Sequence, residues 1–297
     1  MLEVREESNL RYYLQSLEMI VSRNLERWLR FKVSFYTQIL SSLADAAVFG
    51  FVGALVSGMS PTLSAWGGDY LSFALIGLAF DHILLLGVGV VYDSVSGMFY
   101  SGRLEHVLSS PLPVTLAVFG DVVAAMVRDS LFFMTYIAAA FVFGAQLVLT
   151  PGRVLLALAY ALLGLVGVLG LGLISGAMFS LINAKGHSEP FQWFVFSVNK
   201  IVAGVTIPVA LLPLALQYCS IWFPQTYALD AVRRLLLRNA TGNPSLPVHA
   251  WLPRLAPLSV DLTAILLLGS FWLAIGLRLF GMGIRKAQYD GNLSRWS

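Results

Sequence analysis

Residues Tyr70 to Tyr92 read YLSFALIGLAFDHILLLGVGVVY, an apolar run interrupted by one charged and one titratable side chain, Asp81 and His82. A helix needs about 20 mostly apolar residues to cross the hydrocarbon core of a bilayer. This run is long enough to do so, and it is too long for an ordinary strand. The stretch therefore predicts a transmembrane helix.

The composition of the whole chain agrees with a membrane protein. Of 297 residues, 58% are hydrophobic and 12% are charged, and the mean hydropathy is +0.77. Soluble domains carry about 25% charged residues. The formal net charge is +3, but Lys and Arg cluster beside the apolar runs instead of forming one basic face, so we expect no nucleic-acid partner. Cys219 is the only cysteine, which excludes an intrachain disulfide.

Further apolar runs and an N-terminal amphipathic segment complete the predicted fold. Helical spacing of apolar residues from Leu10 to Phe31 predicts a helix at the membrane interface. The predicted spans are Phe35 to Gly58, Tyr70 to Tyr92, Leu116 to Leu149, Val154 to Ala184, Phe191 to Leu212 and Leu262 to Met282. We therefore expect an all-α integral membrane protein of one domain, residues 1–297, in which 1–32 is cytoplasmic or interfacial and 33–297 is a six-span bundle.

The charges that flank the spans predict the orientation. Cytoplasmic loops of membrane proteins carry an excess of Lys and Arg. With the N-terminus inside, most flanking Lys and Arg residues lie on the cytoplasmic side. An even number of spans then places both termini in the cytoplasm of a multi-pass protein of the cell membrane. Span four also repeats glycine every three or four positions, a pattern typical of close helix packing.

The loop after span two predicts a short, stiff helix. Gly102 can open a turn, and Pro111 disfavours helix at the residue before it. Leu104, Val107 and Leu108 form one apolar face, and the polar residues lie elsewhere. Such a helix has a shape that fits a groove on another protein. The residues alone leave a plain interfacial connector equally open.

A second segment, before span six, is too polar to be a span. From Thr226 to Asn239 the pattern predicts a short amphipathic helix with Thr226 as its N-cap. Asp230 and Arg234 are spaced to form an i,i+4 ion pair. This helix either lies at the outer interface or enters the membrane as a re-entrant element, which needs protein or water to satisfy its ends.

Both segments resemble signatures of the ATP-binding-cassette (ABC) type-2 transporter permeases. GRLEHVLSSPL, from Gly102 to Leu112, is similar to the family's Gly-Thr-Leu-Glu, two apolar residues and Ser/Thr-Pro. FPQTYALDAVR, from Phe223 to Arg233, resembles the family's P-x-T-Y-A-x-D-A-x-R before the last span. With the N-terminal helix and the six-span layout, the resemblance covers almost the whole chain. Arg103 departs from it at a variable position.

The resemblance implies an exporter permease subunit that moves a drug-, lipid- or glycan-like substrate. It implies two copies of an ABC ATPase subunit as partners, a second permease chain in a homodimer or heterodimer, and surrounding membrane lipid. The implied coupling helix to the ATPase comprises Gly102, Arg103, Leu104, Glu105, His106, Val107, Leu108, Ser109 and Pro111. The implied external re-entrant element contains Pro224, Thr226, Tyr227, Asp230 and Arg233.

The chain lacks the sequence of an ATP-hydrolysing enzyme. A P-loop needs a lysine preceded by glycine and followed by Ser or Thr. None of Lys32, Lys185, Lys200 and Lys286 has these neighbours. We therefore expect no catalytic residues, no metal and no cofactor in this chain, with ATP and Mg²⁺ bound by the partner ATPase.

Polar residues within the predicted spans are candidates for lining a pathway, because charge at membrane depth is costly. They are Asp45, Asp81, His82, Asn199 and Lys200. The sequence leaves open whether they line a wet cavity, pair within the bundle or carry protons. An alternative function is therefore a proton-coupled secondary transporter that uses Asp81 and His82. These two neighbours point about 100° apart on a helix, which hinders their sharing one site.

Overall fold

The computed structural model describes residues 2–56, 70–110, 112–181, 190–238 and 246–289, and these are almost entirely helical. The helices are α1 (Leu2–Arg30), α2 (Lys32–Val56), α3 (Tyr70–Tyr100), α4 (Arg103–Ser109), α5 (Val114–Val142), α6 (Pro151–Leu181), α7 (Pro190–Val202), α8 (Leu214–Ser220), α9 (Pro224–Leu236), α10 (Pro247–Trp251) and α11 (Pro257–Tyr289). One turn of 3-10 helix spans Val209–Leu211, and an isolated bridge pairs Leu147 with Leu237. The predicted all-α class is confirmed.

Four helices in the described part of the chain are long and apolar enough to cross a membrane. The segments that qualify are Phe35–Gly53 of α2, Tyr70–Tyr100 of α3, Pro151–Phe179 of α6 and Pro257–Tyr289 of α11. They coincide with predicted spans one, two, four and six. The protein is therefore membrane-embedded.

Predicted span three corresponds to α5, which is long but is not among these four candidate spans. Its 29 residues extend about 43 Å at about 1.5 Å per residue. The first half carries Asp121, Arg128 and Asp129, and this half packs against α1, where the Asn24 amide donates to Asp121 Oδ1 at 2.7 Å. The helix ends at Val142, short of the predicted Leu149.

Predicted span five is not one continuous helix. α7 has 13 residues, about 20 Å, whereas the hydrocarbon core is about 30 Å thick. Gly204 follows with a left-handed φ of 74°, which ends the helical path before Pro208 is reached. The helix therefore ends well inside the predicted span Phe191 to Leu212, and the chain continues through α8 into α9.

The glycines of α6 bring three other helices into close contact. A Cβ on Gly167 would lie 3.0 Å from the Cα of Gly269 in α11, and one on Gly164 would meet the side chain of Ala228 in α9. A Cβ on Gly172 would clash with the backbone carbonyl of Gly87 in α3. The predicted packing role of these glycines is confirmed, and α6 forms the centre of the bundle.

We predict that Gly172→Val destabilises the bundle because α3 and α6 must separate. Overpacking of this kind costs about 1–3 kcal/mol. The matched control is Gly152→Val in the same helix, where an added Cβ meets no atom within 4 Å. Thermal unfolding in detergent, followed by circular dichroism, should show a midpoint several degrees lower for Gly172→Val only. Equal midpoints for the two variants would contradict the described packing.

Candidate functional site

The predicted coupling loop forms a short helix that is seated on the bundle by its apolar face. Gly102 has a left-handed φ of 67°, and α4 follows from Arg103 to Ser109. Leu104 is buried, with 1% of its surface exposed. Val107 and Leu108 are half-buried, whereas Glu105, His106 and Ser109 are exposed. Pro111 lies outside the described residues.

The ends of α4 are held by local hydrogen bonds. The hydroxyls of Ser109 and Ser110 donate to the carbonyl oxygens of Glu105 and Val107 at 2.9 and 2.8 Å. At the other end, Arg103 Nε donates to Ser101 Oγ at 2.9 Å. α4 is therefore a regular short helix that buries Leu104 against the bundle and turns its polar residues outward.

The second predicted element, α9, begins two residues earlier than the sequence suggested. Pro224 occupies its first turn after Phe223 in an extended conformation, a position where proline loses no hydrogen bond. Thr226 as N-cap is therefore wrong, and its hydroxyl oxygen is buried with no partner among the described residues. The predicted pair is confirmed, since Arg234 Nε lies 2.6 Å from Asp230 Oδ2.

Helix α9 is buried among α3, α6 and α11, and Arg233 fixes its C-terminal half. The Arg233 guanidinium donates to the carbonyl oxygen of Gly204 at 2.6 Å and also to that of Val205. It stacks 3.6 Å from the centre of the Phe73 ring in α3. These bonds satisfy carbonyls that are released where α7 ends. Tyr227, also buried, donates to the carbonyl oxygen of Ile221.

The N-terminal half of α9 meets the carboxylate of Asp81 in the middle of α3. Gln225 Nε2 donates to Asp81 Oδ1 at 2.5 Å, and Asn199 Nδ2 of α7 approaches the same oxygen at 3.5 Å. All three side chains are buried. Asp81 and Asn199, two of the candidate pathway residues, are thus brought together by a glutamine that the sequence did not single out.

His82 faces a different part of the protein, as the angle between adjacent helical residues requires. Tyr136 Oη of α5 lies 3.2 Å from Asp45 Oδ2 of α2 and 3.5 Å from His82 Nε2. Tyr136 is buried, but Asp45 and His82 are exposed on the surface of the chain. The side chain of Lys200, the remaining candidate, lies outside the described residues.

A further ion-pair network joins α9, α10 and α11. His249 Nε2 lies 2.8 Å from Asp261 Oδ1, and His249 Nδ1 lies 3.9 Å from Asp230 Oδ2 and 3.4 Å from Arg234 Nη2. Ligand atoms of Asp230, His249 and Asp261 lie within 4.8 Å of one another. The imidazole lies between the two carboxylates and Arg234 pairs with Asp230, so the described contacts are hydrogen bonds and one ion pair. Apart from the pair of Asp230 with Arg234, this network was not predicted, and its one further visible sign in the sequence is Asp261, an acidic residue just before predicted span six.

Comparison with known proteins gives no match: no family model matches the chain, and no curated protein matches it. A proposal about function must then be based on the structure itself. Its main features are the exposed face of α4, the buried α9 and the two groups of polar residues around Asp81 and Tyr136.

We predict that Arg233→Lys lowers stability although it keeps the charge. Lysine lacks the planar fork that bonds two carbonyls and stacks on Phe73, and an unsatisfied buried group costs about 1–3 kcal/mol. Arg238→Lys is the matched control because Arg238 is exposed near the end of the same segment. Thermal unfolding in detergent should distinguish them, and an unchanged midpoint for Arg233→Lys would contradict the bonding described.

Proposed function

We propose that this chain is the membrane-spanning permease subunit of an ABC exporter and that a separate ATPase subunit hydrolyses the ATP. The observation that carries the proposal is α4, a short helix fixed by Leu104 whose exposed Glu105, His106 and Ser109 are available to a partner. It carries a sequence that resembles the coupling motif of such permeases, in a chain with four helices apolar enough to span a membrane.

The proposed topology has six crossings and both termini in the cytoplasm, so that α1 and α4 lie on the cytoplasmic side. α5 supplies one crossing, and α7 together with the chain that follows it supplies another. Within this topology we assign α9 as a re-entrant element that opens to the outer side. Its contacts support this: Gln225 meets Asp81, whereas Arg233 meets Phe73, which is eight residues or about 12 Å away along α3.

A second permease chain is proposed to cover the exposed face of α2. In its candidate span, 17% of the residues are buried within the chain, and the exposed residues include Asp45. A carboxylate that faces lipid at this depth is costly, and such residues ordinarily face a partner or a wet cavity. Asp45, Tyr136 and His82 therefore line a path for a drug-, lipid- or glycan-like substrate at the interface of two permease chains.

The proposed mechanism transmits motion from α4 to α3. Two ATPase subunits bind ATP and Mg²⁺ and close upon each other, which displaces α4. Because Leu104 is buried against the bundle, α4 moves with the cytoplasmic end of α3. α3 carries His82, so its displacement changes the polar groups that a substrate meets along the path. This chain itself supplies no catalytic group.

We predict that Glu105→Arg reduces recovery of the co-expressed ATPase or uncouples ATP hydrolysis from transport by about tenfold. Charge reversal at an interface costs about 1–3 kcal/mol or more, and Glu105 is exposed, so the fold should persist. The matched control is Glu26→Arg on exposed α1. Co-purification and ATP-driven uptake into inverted vesicles provide the measurements. A chain that recruits no ATPase, together with full transport by Glu105→Arg, would contradict the proposal.

Proton-coupled secondary transport is the second candidate, and the buried carboxylate of Asp81 favours it. It requires transport that stops with an uncoupler, continues after ATP depletion and is lost in Asp81→Asn. The exporter proposal instead requires transport that continues with an uncoupler and stops after ATP depletion. Asp81→Asn keeps an oxygen that accepts from Gln225, so its fold should be retained and the comparison remains valid.

A further inference from the structure

A cavity of about 610 Å³ with polar and apolar walls lies between α1, α3 and α5, beside the first residue of α4. Three guanidinium groups line it, those of Arg27, Arg103 and Arg128. Trp28 and Phe31 of α1 form an aromatic wall. The cavity is separate from the exposed face of α4 and from the polar residues around Asp81 and Tyr136.

The positive charge of this cavity is only partly balanced by its own carboxylates. Asp121 accepts hydrogen bonds from Asn24 at 2.7 Å and from Ser94 at 2.5 Å. Arg128 is paired with Asp129, with Nε 2.8 Å from Oδ1.

Arg27 and Arg103 remain without an ion pair in the described residues. Burial lowers the pKa of Arg103, and the nearby charges of Arg23 and Arg27 lower it further, although Asp121 acts in the opposite direction. The crowding of like charges at this end of the cavity favours an anionic ligand.

An orphaned hydrogen-bond donor points to the same chemistry. Trp28 Nε1 is buried and has no acceptor among the described residues. A buried donor without a partner costs about 1–3 kcal/mol, and a ligand oxygen would remove that cost. Guanidinium groups and an indole N–H together suit a phosphate group, which offers several anionic acceptor oxygens.

The surroundings of the cavity favour a lipid as the source of the phosphate. Its inner wall is apolar at Val90, Ala124 and Ala125. Phe31, which lines the cavity, is 65% exposed, and Val33, two residues further along the chain, is 77% exposed. An amphipathic helix with basic and aromatic residues lies at the membrane surface, where acyl chains can follow this apolar side.

We propose that this cavity binds the phosphate of an anionic phospholipid from the leaflet beside α1, with Arg27, Arg103 and Trp28 as its ligands. The first carbons of the acyl chains lie along Phe31. Arg103 is also the first residue of α4, so a bound headgroup fixes the base of that helix. The site requires no ATPase and stands independently of the exporter proposal.

The test uses the purified, delipidated full chain in detergent. Its probes are dioctanoyl phosphatidylglycerol, dioctanoyl phosphatidylcholine and inorganic phosphate, with binding followed by native mass spectrometry and by the shift in unfolding temperature. We expect phosphatidylglycerol to bind about tenfold more tightly than phosphatidylcholine, because both offer an anionic phosphate but the choline cation of phosphatidylcholine is repelled by the arginines of the cavity. Inorganic phosphate should bind much more weakly than phosphatidylglycerol because it lacks the acyl contacts.

Three variants test whether the preference for phosphatidylglycerol depends on the cavity. Arg27→Gln with Arg103→Gln should abolish the preference for phosphatidylglycerol, and Trp28→Phe, which keeps the ring but removes the donor, should reduce it about threefold. Arg30→Gln removes an exposed charge from the same helix outside the cavity and should leave the preference within about twofold.

Three results would overturn the assignment. The first is equal binding of the two lipids to the unaltered chain. The second is an equal loss in Arg30→Gln and in the double variant, which would mean diffuse surface attraction. The third is inorganic phosphate that binds as tightly as phosphatidylglycerol, which would make the cavity a free-anion site. Arg27 is exposed, and Trp28→Phe keeps the aromatic contact with Phe35. We therefore expect at least one of the variants to fold, so that its lipid binding can be measured.

Discussion

The close approach of backbones around α6 is the constraint on which the rest of the structure depends. Lipid tails are as apolar as leucine, so helices in a membrane associate through packing and hydrogen bonds and gain little from hydrophobic burial. Gly164 and Gly167 admit α9 and α11, whereas Gly172 admits α3. Without the contacts of α6 with α3, α9 and α11, α9 would not be buried. Gln225 would then not reach Asp81, and Arg233 would not reach the carbonyl oxygen of Gly204. The polar architecture is thus a consequence of small residues in one central helix.

Two kinds of polar group follow from this arrangement, and their contrast bears on function. Inside the chain, Arg233 bonds the carbonyl oxygens of Gly204 and Val205, and Asp81 accepts from Gln225. These groups have their partners within one copy. At the surface, Asp45 meets Tyr136 but remains exposed on an apolar helix. The hydrocarbon of a membrane offers such a group no hydrogen-bond partner. Exposed Asp45 therefore supports a path or an interface, whereas the buried groups of Arg233 and Asp81 stabilise the fold.

The sequence predicted the elements whose causes are local. The left-handed turn at Gly102 and the ion pair of Asp230 with Arg234 depend on residues within a few positions of each other, and both are present. The N-cap at Thr226 was wrong because Pro224 takes the first helical turn. The early end of α7 was not predicted because it depends on a residue that is distant in the sequence. Arg233 bonds the carbonyl oxygen of Gly204, which lies 29 positions before it. The periodicity of a sequence carries no information about such distant pairs. The contact of Tyr136 with Asp45 was missed for the same reason.

The central claim is that α4 contacts a separate ATP-hydrolysing protein on the cytoplasmic side. The most direct measurement places a photo-reactive amino acid at exposed position His106 in the full chain, in intact cells, and identifies the covalent adduct by mass spectrometry. The account predicts an adduct with a protein that contains a P-loop, lost when the probe is moved to position Leu267 on exposed α11. Adducts with lipid alone, or labelling of His106→Cys in a Cys219→Ser chain by a membrane-impermeant thiol reagent added outside the cell, would contradict it.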